Sequence, residues 1–203
     1  MLLAAGRSRR MGDFKPLLPF GDRTVVETCA ANLHEGGASE VVLVVGHRGE
    51  EVRRAASHLP FVRFAVNEEA GSEMGVSIAR GVSSLTAATE AALVALVDQP
   101  AVPPAAVSEI LRARSRTGAR LIIPTWEGRG GHPVLVDLSF RTELLTLVPE
   151  SGLRSLFAKH GGEVVRLPVG SPFVARDMDT WDDYRTLHAD VFGCPPPERG
   201  GPA

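Results

Sequence analysis

The residues best suited to chemistry lie at the start of the chain, in MLLAAGRSRRMG and the lysine at position 15. A glycine directly after a buried strand allows a tight turn, and the exposed amide N–H groups of such a turn form a concave anion site. Arg7, Arg9, Arg10 and Lys15 add cationic side chains. The stretch therefore predicts a loop that binds a triphosphate, and the alternative is a solvated basic turn. The GxGxxG and GxxxxGK[ST] patterns are both absent, so this loop is of another type.

Lysine usage supports the phosphate interpretation. Of the 22 basic residues only two are lysines, Lys15 and Lys159. A compact ammonium fits a crowded phosphate better than a planar guanidinium does. A lysine kept at this position in an arginine-rich chain therefore favours a contact with phosphate.

Two aspartates are candidate metal ligands. Mg²⁺ takes one or two carboxylates together with phosphate oxygens and waters, so two separated aspartates suffice. Asp98 ends the apolar run AALVALV, and Asp179 lies in the acidic segment DMDTWDD. The residue types alone also allow Asp98 to be a turn residue and Asp179 a helix N-cap. Asp177 is a lesser candidate for either role.

The elements that position these residues alternate along the chain. Apolar, β-branched runs predict strands at 1–5, 40–46, 61–67, 91–98, 120–124, 133–137 and 163–169. Helical spacing and capping signals predict helices at 25–37, 50–58, 74–85, 104–117, 141–147, 152–160 and 179–192. The glycine-rich stretch 126–133 predicts a loop. Strands that alternate with helices indicate an α/β fold, a Rossmann-like, mostly parallel sheet with helices on both faces, and ligands bind at the carboxyl ends of such strands.

Composition narrows the class of protein. The 203 residues, 44% hydrophobic and 23% charged, suit one globular domain, which we place at 1–192, with a disordered tail at 193–203. A net charge of -2 argues against a large nucleic-acid-binding surface. No apolar run approaches the ~20 residues of a membrane helix, and no secretory signal is evident. Two distant cysteines favour neither a disulfide framework nor a zinc site, so we expect a cytoplasmic protein.

Five segments, in order, resemble one family. Leu3 to Gly12 with Lys15 and Leu17-Leu18 is similar to the LAAGxSxRMGxxKxLL signature of molybdenum cofactor nucleotidyltransferases, particularly the cytidylyltransferase branch. The later matches are Asn67 with Glu73–Ser77, Asp98-Gln99-Pro100, Gly131-His132-Pro133, and Arg176–Thr180 extended by Asp183-Tyr184. Five matches in the family's order are far more specific than any one of them.

The resemblance implies a nucleotidyltransferase fold that transfers CMP from CTP to molybdopterin cofactor and releases pyrophosphate, with Mg²⁺ as cofactor. It implies metal binding by Asp98 and Asp179, and catalytic roles for Lys15, Arg10 and Asp98. The implied nucleotide-binding residues are Leu3, Ala4, Ala5, Gly6, Ser8, Arg10, Gly12 and Lys15. The implied substrate-binding residues are Ser72, Gly75, Ser77, Gly131, His132 and Pro133.

Some of these residues have simpler interpretations. Ser72, Gly75 and Ser77 could instead begin a helix as caps. A lone histidine in a glycine-rich loop is usually a surface residue, whereas the match at His132 favours a substrate contact that donates to the cofactor's phosphate. His132 is not assigned as a general base.

The nucleotide and the client protein are narrower expectations. By the resemblance, LAAG rather than LAGG indicates a pyrimidine nucleotide, and the Ala5 methyl group would narrow the space beside the base and disfavour a purine. A molybdenum hydroxylase is the candidate client. The first strand has only five residues before Gly6, fewer than the family usually carries, and a longer strand would stabilise the sheet. Trp181 replaces the usual proline, a change that should leave the Asp179 ligand intact.

Three other functions stay open. A guanylyltransferase for a molybdenum or deazaflavin cofactor shares this design. Some proteins of this fold are named nicotine-blue reductases, which predicts NADPH oxidation, although the chain lacks the dinucleotide fingerprint. A non-catalytic chaperone for molybdenum cofactor needs neither metal nor triphosphate, so Asp98 and Lys15 argue against it.

Overall fold

A computed structural model describes residues 1–8, 10–69, 73–148 and 152–197. The strands in these ranges are β1 (Leu2–Ala4), β2 (Pro19–Phe20), β3 (Arg23–Thr24), β4 (Val41–Val45), β5 (Val62–Val66), β6 (Ala91–Leu96), β7 (Leu121–Trp126), β8 (Arg129–Gly130), β9 (Val134–Asp137) and β10 (Val164–Pro168). The helices are α1 (Val25–Glu35), α2 (Gly49–Ala56), α3 (Met74–Ser83), α4 (Pro104–Thr117), α5 (Arg141–Leu145), α6 (Leu153–Lys159) and α7 (Trp181–Phe192).

Eight strands form one sheet in the order β10-β7-β9-β6-β1-β4-β5, with β8 added to β7. Strand β1 pairs in parallel with β4 and β6, β4 with β5, and β7 with β10. Strand β9 runs antiparallel between β6 and β7. The mostly parallel sheet is thus confirmed, and the carboxyl ends of β1, β4, β5 and β6 share one edge.

Both faces of the sheet are covered, which explains the continuous apolar runs. All five residues of β4 are buried, as expected of a parallel strand covered on both faces. One face packs against α1, α2, α4 and α7, and the other against α3, α5 and α6. Leu2 and Leu3 of β1 contribute to opposite faces because successive side chains of a strand alternate. The predicted α/β class is confirmed.

Local signals in the sequence account for several helix ends. Thr24 and Glu27 form a capping box at the start of α1. Pro104 occupies the first turn of α4, and Gly118 ends that helix in the left-handed conformation with φ 68°. These ends lie close to where the sequence predicts them.

The predicted loop at 126–133 is partly wrong. Strand β7 extends through Trp126, and Arg129 and Gly130 pair antiparallel with its end as β8. Glu127 and Gly128 have φ values of 47° and 78°. Positive φ at both central residues is the geometry of the two-residue turns that join hairpin strands, so a tight hairpin replaces the open loop.

At the end of the chain, α7 stops at Phe192, and residues 198–203 of the predicted tail lie outside the described residues. In the described part of the chain, no helix has the length and apolar character needed to span a bilayer.

Candidate active site

Hydrogen bonds within the loop hold the segment from Gly6 to Lys15 in its conformation. Ser8 adopts a left-handed conformation with φ 51°, and Gly12 has φ 78°. The Gly12 amide donates to the Ser8 carbonyl at 3.2 Å, and the Lys15 amide donates to the Ser8 hydroxyl at 3.1 Å. One serine therefore ties both turns of the loop together. Arg9 lies outside the described residues.

Lys15 joins this loop to the predicted carboxylates. Its side chain is only 8% exposed, and its Nζ lies 2.7 Å from Asp179 Oδ1 and 3.7 Å from Asp98 Oδ2. Arg10 pairs with the other carboxylate oxygen of Asp179. The structure thus brings together the four residues predicted for catalysis and metal binding, although they come from three separate parts of the chain.

A backbone contact aligns the two aspartates. Asp98 follows β6, and its carbonyl accepts a hydrogen bond from the amide of Met178 at 2.9 Å. Met178 is fully buried, which anchors the segment that carries Asp177 and Asp179 beside the end of β6. The helix-cap interpretation of Asp177 and Asp179 is wrong, because Thr180 caps α7 and forms a capping box with Asp183.

The Asp98 carboxylate is held in an unfavourable setting for a charge. Its Oδ1 atom is buried and has no hydrogen-bond partner among the described residues. Burial raises the pKa of Asp98; the ammonium of Lys15 opposes this shift, while the carboxylates of Asp177 and Asp179 add to it. A buried, unpaired carboxylate oxygen would gain stability from a cation or a donor placed against it.

Contacts between α7 and the β2–β3 hairpin, which we call the α7 clasp, fix the geometry further. The hydroxyl of Tyr184 donates to the Pro19 carbonyl at 2.5 Å. His188 accepts from the Gly21 amide through Nε2 at 3.4 Å. The rings of Phe20 and Phe192 pack edge to face with centroids 5.0 Å apart. The hairpin follows Lys15 closely and α7 follows Asp179. The α7 clasp therefore keeps the Lys15 ammonium next to the Asp179 carboxylate.

The loop borders a cleft of about 240 Å³ at the carboxyl edge of the sheet. The predicted nucleotide-binding residues that line it are Leu3, Ala5, Gly6, Ser8 and Lys15. Ala4 instead packs into the core, and Gly12 is exposed. A larger hollow of about 600 Å³ lies at the opposite edge, near the amino ends of β4 and β6. The smaller cleft is the candidate site because its lining includes Lys15 and Asp98.

The start of α3 forms the far wall of the cleft. Met74 and Ser77 line it, and the Ser77 hydroxyl accepts from Asn67 Nδ2 at 2.9 Å. Gly75 is buried in the first turn. Glu73 occupies the N-cap position without a side-chain cap bond, so the cap interpretation is wrong for Ser77 and Gly75. Ser72 lies outside the described residues.

The Gly131-His132-Pro133 segment lies next to the site. Gly131 packs against the backbone carbonyl of Val174, where a Cβ atom would overlap. His132 and Pro133 line a separate small cavity of about 20 Å³, and the described lining of the larger cleft does not include them. The structure therefore separates this predicted group from the nucleotide-binding residues.

The His132 ring has a defined hydrogen-bonding role. Its Nδ1 lies 3.1 Å from the Val94 carbonyl, and since a carbonyl only accepts, Nδ1 carries the proton. Burial lowers the pKa of His132, while this hydrogen bond and Asp177 oppose the shift. In the neutral ring Nε2 is an acceptor, so the donation to phosphate that we predicted requires the imidazolium.

The candidate site suits a hard cation that binds few protein ligands. Among the described residues, no group of three or more His, Cys, Asp or Glu is arranged to hold a metal. Asp98 and Asp179 offer carboxylate oxygens, one of them buried and unpaired. Mg²⁺ binds through one or two carboxylates and substrate phosphates, so this donor set fits such an ion when a nucleotide is present.

Residues 1–164 match the family of the MobA-like NTP transferase domain. The chain belongs to this family. The match includes the Gly6–Lys15 loop and Asp98, and it ends before Asp179. The family relationship confirms the nucleotidyltransferase resemblance found in the sequence motifs.

Curated relatives extend over most of the chain. It is 33% identical over 196 residues to a nicotine blue oxidoreductase of Paenarthrobacter nicotinovorans, covering 92% of this chain and 95% of the relative. It is 25% identical over 186 residues to the molybdenum cofactor cytidylyltransferase of Escherichia coli, covering 92% and 93%. It is 30% identical over 168 residues to a probable molybdenum cofactor guanylyltransferase of Mycobacterium marinum, covering 77% of each.

Solved structures share the fold. A nucleotidyl transferase of Methanothermobacter has a TM-score of 0.81 and 25% identity, covering 95% of this chain and 96% of that one. A Mycobacterium tuberculosis protein solved in complex with manganese has a TM-score of 0.78 and 28% identity, covering 94% and 97%. The nucleotidyltransferase fold is therefore confirmed.

Proposed function

We propose that the protein transfers CMP from CTP to molybdopterin cofactor and releases pyrophosphate, in a reaction that depends on Mg²⁺. The observation that carries this proposal is the buried ammonium of Lys15, placed between Asp98 and Asp179 at the end of the glycine-containing loop. One fixed cation and two carboxylates beside backbone amides suit a triphosphate with its metal ion.

The loop would bind the triphosphate. The amides of Gly6, Arg7 and Ser8, the ammonium of Lys15 and the guanidinium of Arg10 would supply hydrogen bonds and positive charge to phosphate oxygens. In the structure both side chains pair with Asp179. A triphosphate would take the place of that carboxylate at Lys15, and Asp179 would then be available to the metal ion.

Asp98 and Asp179 are the residues that would hold the divalent cation. The buried, unpaired Oδ1 of Asp98 supports this assignment. The mycobacterial protein solved in complex with manganese supports the use of a divalent cation. When bound, the ion would neutralise negative charge on the phosphate oxygens.

The reaction needs positioning more than proton transfer. An oxygen of the cofactor's terminal phosphate attacks the α-phosphorus of CTP, a new P–O bond forms, and the bond from that phosphorus to the bridging oxygen of the β-phosphate breaks. Pyrophosphate leaves with the bonding electrons. Lys15 and Arg10 would stabilise the charge that develops on it. Neither step requires a general base on the protein.

The second substrate would bind beside the triphosphate loop. We assign to the pterin the start of α3, with Ser72, Gly75 and Ser77, and the segment Gly131-His132-Pro133. Ser77 lines the cleft, whereas His132 and Pro133 line the separate small cavity, so a pterin that contacts both groups would have to reach from the cleft into that cavity. His132 would also need the imidazolium form to donate to the cofactor's phosphate.

The choice of CTP rests on Ala5, whose side chain lines the cleft. Its methyl group narrows the base-binding end, which favours a pyrimidine over a purine. The cytidylyltransferase relative from Escherichia coli supports CTP, whereas the guanylyltransferase relative supports GTP as the alternative.

One observation favours a second candidate function, an NADPH-dependent oxidoreductase. The relative from Paenarthrobacter nicotinovorans, named a nicotine blue oxidoreductase, is 33% identical over 92% of this chain. The chain lacks a GxGxxG fingerprint after its strands, and the paired Lys15 and Asp98 have no evident task in hydride transfer. Nucleotidyl transfer is for this reason the function that we favour.

Pyrophosphate release tests the proposal. Purified protein is given Mg²⁺, molybdenum cofactor and each of CTP, GTP, ATP and UTP in turn, and a parallel sample is given NADPH and a dye acceptor. We expect release with CTP and no NADPH oxidation. Release with GTP alone would replace cytidylyl by guanylyl transfer. NADPH oxidation without pyrophosphate release would refute nucleotidyl transfer in favour of the oxidoreductase, and neither reaction would favour the cofactor chaperone.

A further inference from the structure

Gly46 lies beside the base-binding end of the cleft, on the neighbouring strand to Ala5. Strands β1 and β4 pair in parallel with Ala4 opposite Val45, so the next residues, Ala5 and Gly46, face each other where the two strands end. Ala5 lines the cleft. Gly46 is partly buried behind it.

The space between these two residues holds one methyl group and not two. A Cβ atom built on Gly46 would lie 2.9 Å from the Ala5 Cβ and 3.2 Å from the Ala5 carbonyl oxygen. It would also lie 3.2 Å from the carbonyl oxygen of Asn67 at the end of β5. Carbon atoms in favourable contact are about 3.5–4.0 Å apart. A side chain at 46 must therefore displace Ala5 or the strand ends on either side of it.

The glycine at 46 has no conformational reason to be there. Its φ is not among the positive values of the described glycines, so an alanine could adopt the same backbone angles. The absence of a side chain at Gly46 leaves room for the close approach of Ala5. At this pair of facing residues there is space for one methyl group, and Ala5 at the end of β1 carries it.

We infer that Gly46 is a positioning residue for nucleotide selectivity. Because it has no side chain, the Ala5 methyl group can pack directly against the end of β4, and this position sets the width of the base-binding end of the cleft. This inference rests on the proposed function, in which Ala5 contacts the base. An added methyl group at 46 would displace Ala5 toward the base, and removal of the Ala5 methyl group would remove the close contact that causes the displacement.

A double-mutant cycle tests this pairing. Wild-type protein and the variants Gly46→Ala, Ala5→Gly and Ala5→Gly/Gly46→Ala are titrated with CTP and with GTP in the presence of Mg²⁺, and their melting temperatures are measured. Gly161→Ala is the matched control, because a Cβ atom there has no neighbour within 4 Å and lies far from the cleft.

We expect Gly46→Ala to weaken CTP binding about tenfold and to lower the melting temperature, as overpacking does. In the Ala5→Gly background the same change should weaken binding by less than about threefold, because the contact that causes the strain is absent. Ala5→Gly alone should shift the preference from CTP toward GTP. The control should bind and melt like wild type.

An equal effect of Gly46→Ala in both backgrounds would overturn the inference, and so would no effect in either. If Gly46→Ala fails to fold, recovery of folding in the double variant supports the inference, and equal failure of the double variant refutes it. Wild-type protein that binds neither nucleotide would refute the proposed function and the selectivity role with it. Binding of both nucleotides with additive mutations would refute the pairing alone.

Discussion

The two charged sides of the candidate site, which we call the loop wall and the carboxylate wall, are built in opposite ways. The loop wall, Gly6 to Lys15, is a continuous segment held by Ser8 through two local hydrogen bonds. The carboxylate wall consists of Asp98 and Asp179, which belong to distant segments of the chain that are joined by the hydrogen bond from the buried Met178 amide to the Asp98 carbonyl. Cations come from the first wall and carboxylates from the second. The loop wall can therefore form within one local segment, whereas the carboxylate wall forms only when distant segments come together in the folded protein.

This difference also appears in the family match. The matched residues, 1–164, include the whole loop wall but only Asp98 of the carboxylate wall. Asp179 is supplied by the segment before α7, and the α7 clasp fixes that segment next to the hairpin that follows Lys15.

The largest effect is expected from Asp98→Ala on the carboxylate wall. Loss of a proposed metal ligand should lower the rate of pyrophosphate release by at least about a hundredfold, equivalent to about 2.7 kcal/mol of lost charge stabilisation. Steady-state kinetics at several Mg²⁺ concentrations measures this. Asp182→Ala is the matched control, since its side chain is 92% exposed on α7, and it should keep the wild-type rate. Equal rates for both variants would contradict the assigned role.

The next effect concerns the loop wall. Lys15→Met should weaken CTP binding by about a hundredfold, because a buried cation next to a triphosphate is lost. Lys15→Arg should restore little, since the planar guanidinium does not fit the space of the buried ammonium. Equilibrium titration with CTP measures both changes. The only other lysine provides the control: Lys159→Met, at a site with 65% side-chain exposure, should bind CTP normally. Full rescue by arginine would refute the argument from fit.

A smaller effect is expected from the clasp that joins the walls. Tyr184→Phe removes only the hydroxyl that donates to Pro19, a loss of about 1 kcal/mol that lowers the melting temperature by about 2–4 °C. It should also raise the Mg²⁺ concentration needed for half-maximal rate, because Asp179 is less firmly placed. Ser108→Ala removes a comparable hydroxyl bond, from Ser108 to the Gly36 carbonyl at 2.8 Å, far from the cleft. That variant should lose stability without a change in Mg²⁺ dependence, and a similar change in both would contradict the positioning role.

The last prediction concerns the pH dependence of stability and comes from His132. Burial lowers its pKa from the ordinary value of 6.5, so the unfolded chain binds this proton more readily than the folded one. The stability that His132 contributes is present above about pH 6.5 and is lost as pH falls below that value. Relative to His132→Gln, the wild type should lose up to about 1.4 kcal/mol of unfolding free energy per pH unit in this range. Denaturant titrations of both proteins from about pH 7.5 to about pH 5 measure this, and a constant difference would contradict a buried neutral ring.

The loop wall could be predicted from the sequence because its chemistry is contiguous. An apolar run, two glycines, the arginines and one rare lysine indicate an anion site by themselves. The same is true of the parallel sheet, since β-branched runs such as Val41–Val45 are buried on both faces and leave a continuous signal.

The carboxylate wall could not be derived that way. From residue types alone, Asp98 and Asp179 had simpler interpretations, and only the order of motifs linked them. The bond from Met178 to Asp98 uses a backbone amide, which leaves no trace in residue identity. Tyr184 was visible only as the end of a motif, although it is the single tyrosine of the chain. The fit of Gly46 to Ala5 likewise depends on strand register, and the hairpin at 127–128 depends on backbone angles that a glycine-rich stretch merely permits.

The most direct test of the central claim follows the atoms of CTP. The protein is incubated with Mg²⁺, molybdenum cofactor and CTP labelled either at the α-phosphorus or at the γ-phosphorus, and the products are separated. Nucleotidyl transfer predicts that the α label appears in the pterin product and the γ label in pyrophosphate, in equal amounts. A γ label found in orthophosphate, or an α label found only in free CMP, would contradict transfer to the cofactor.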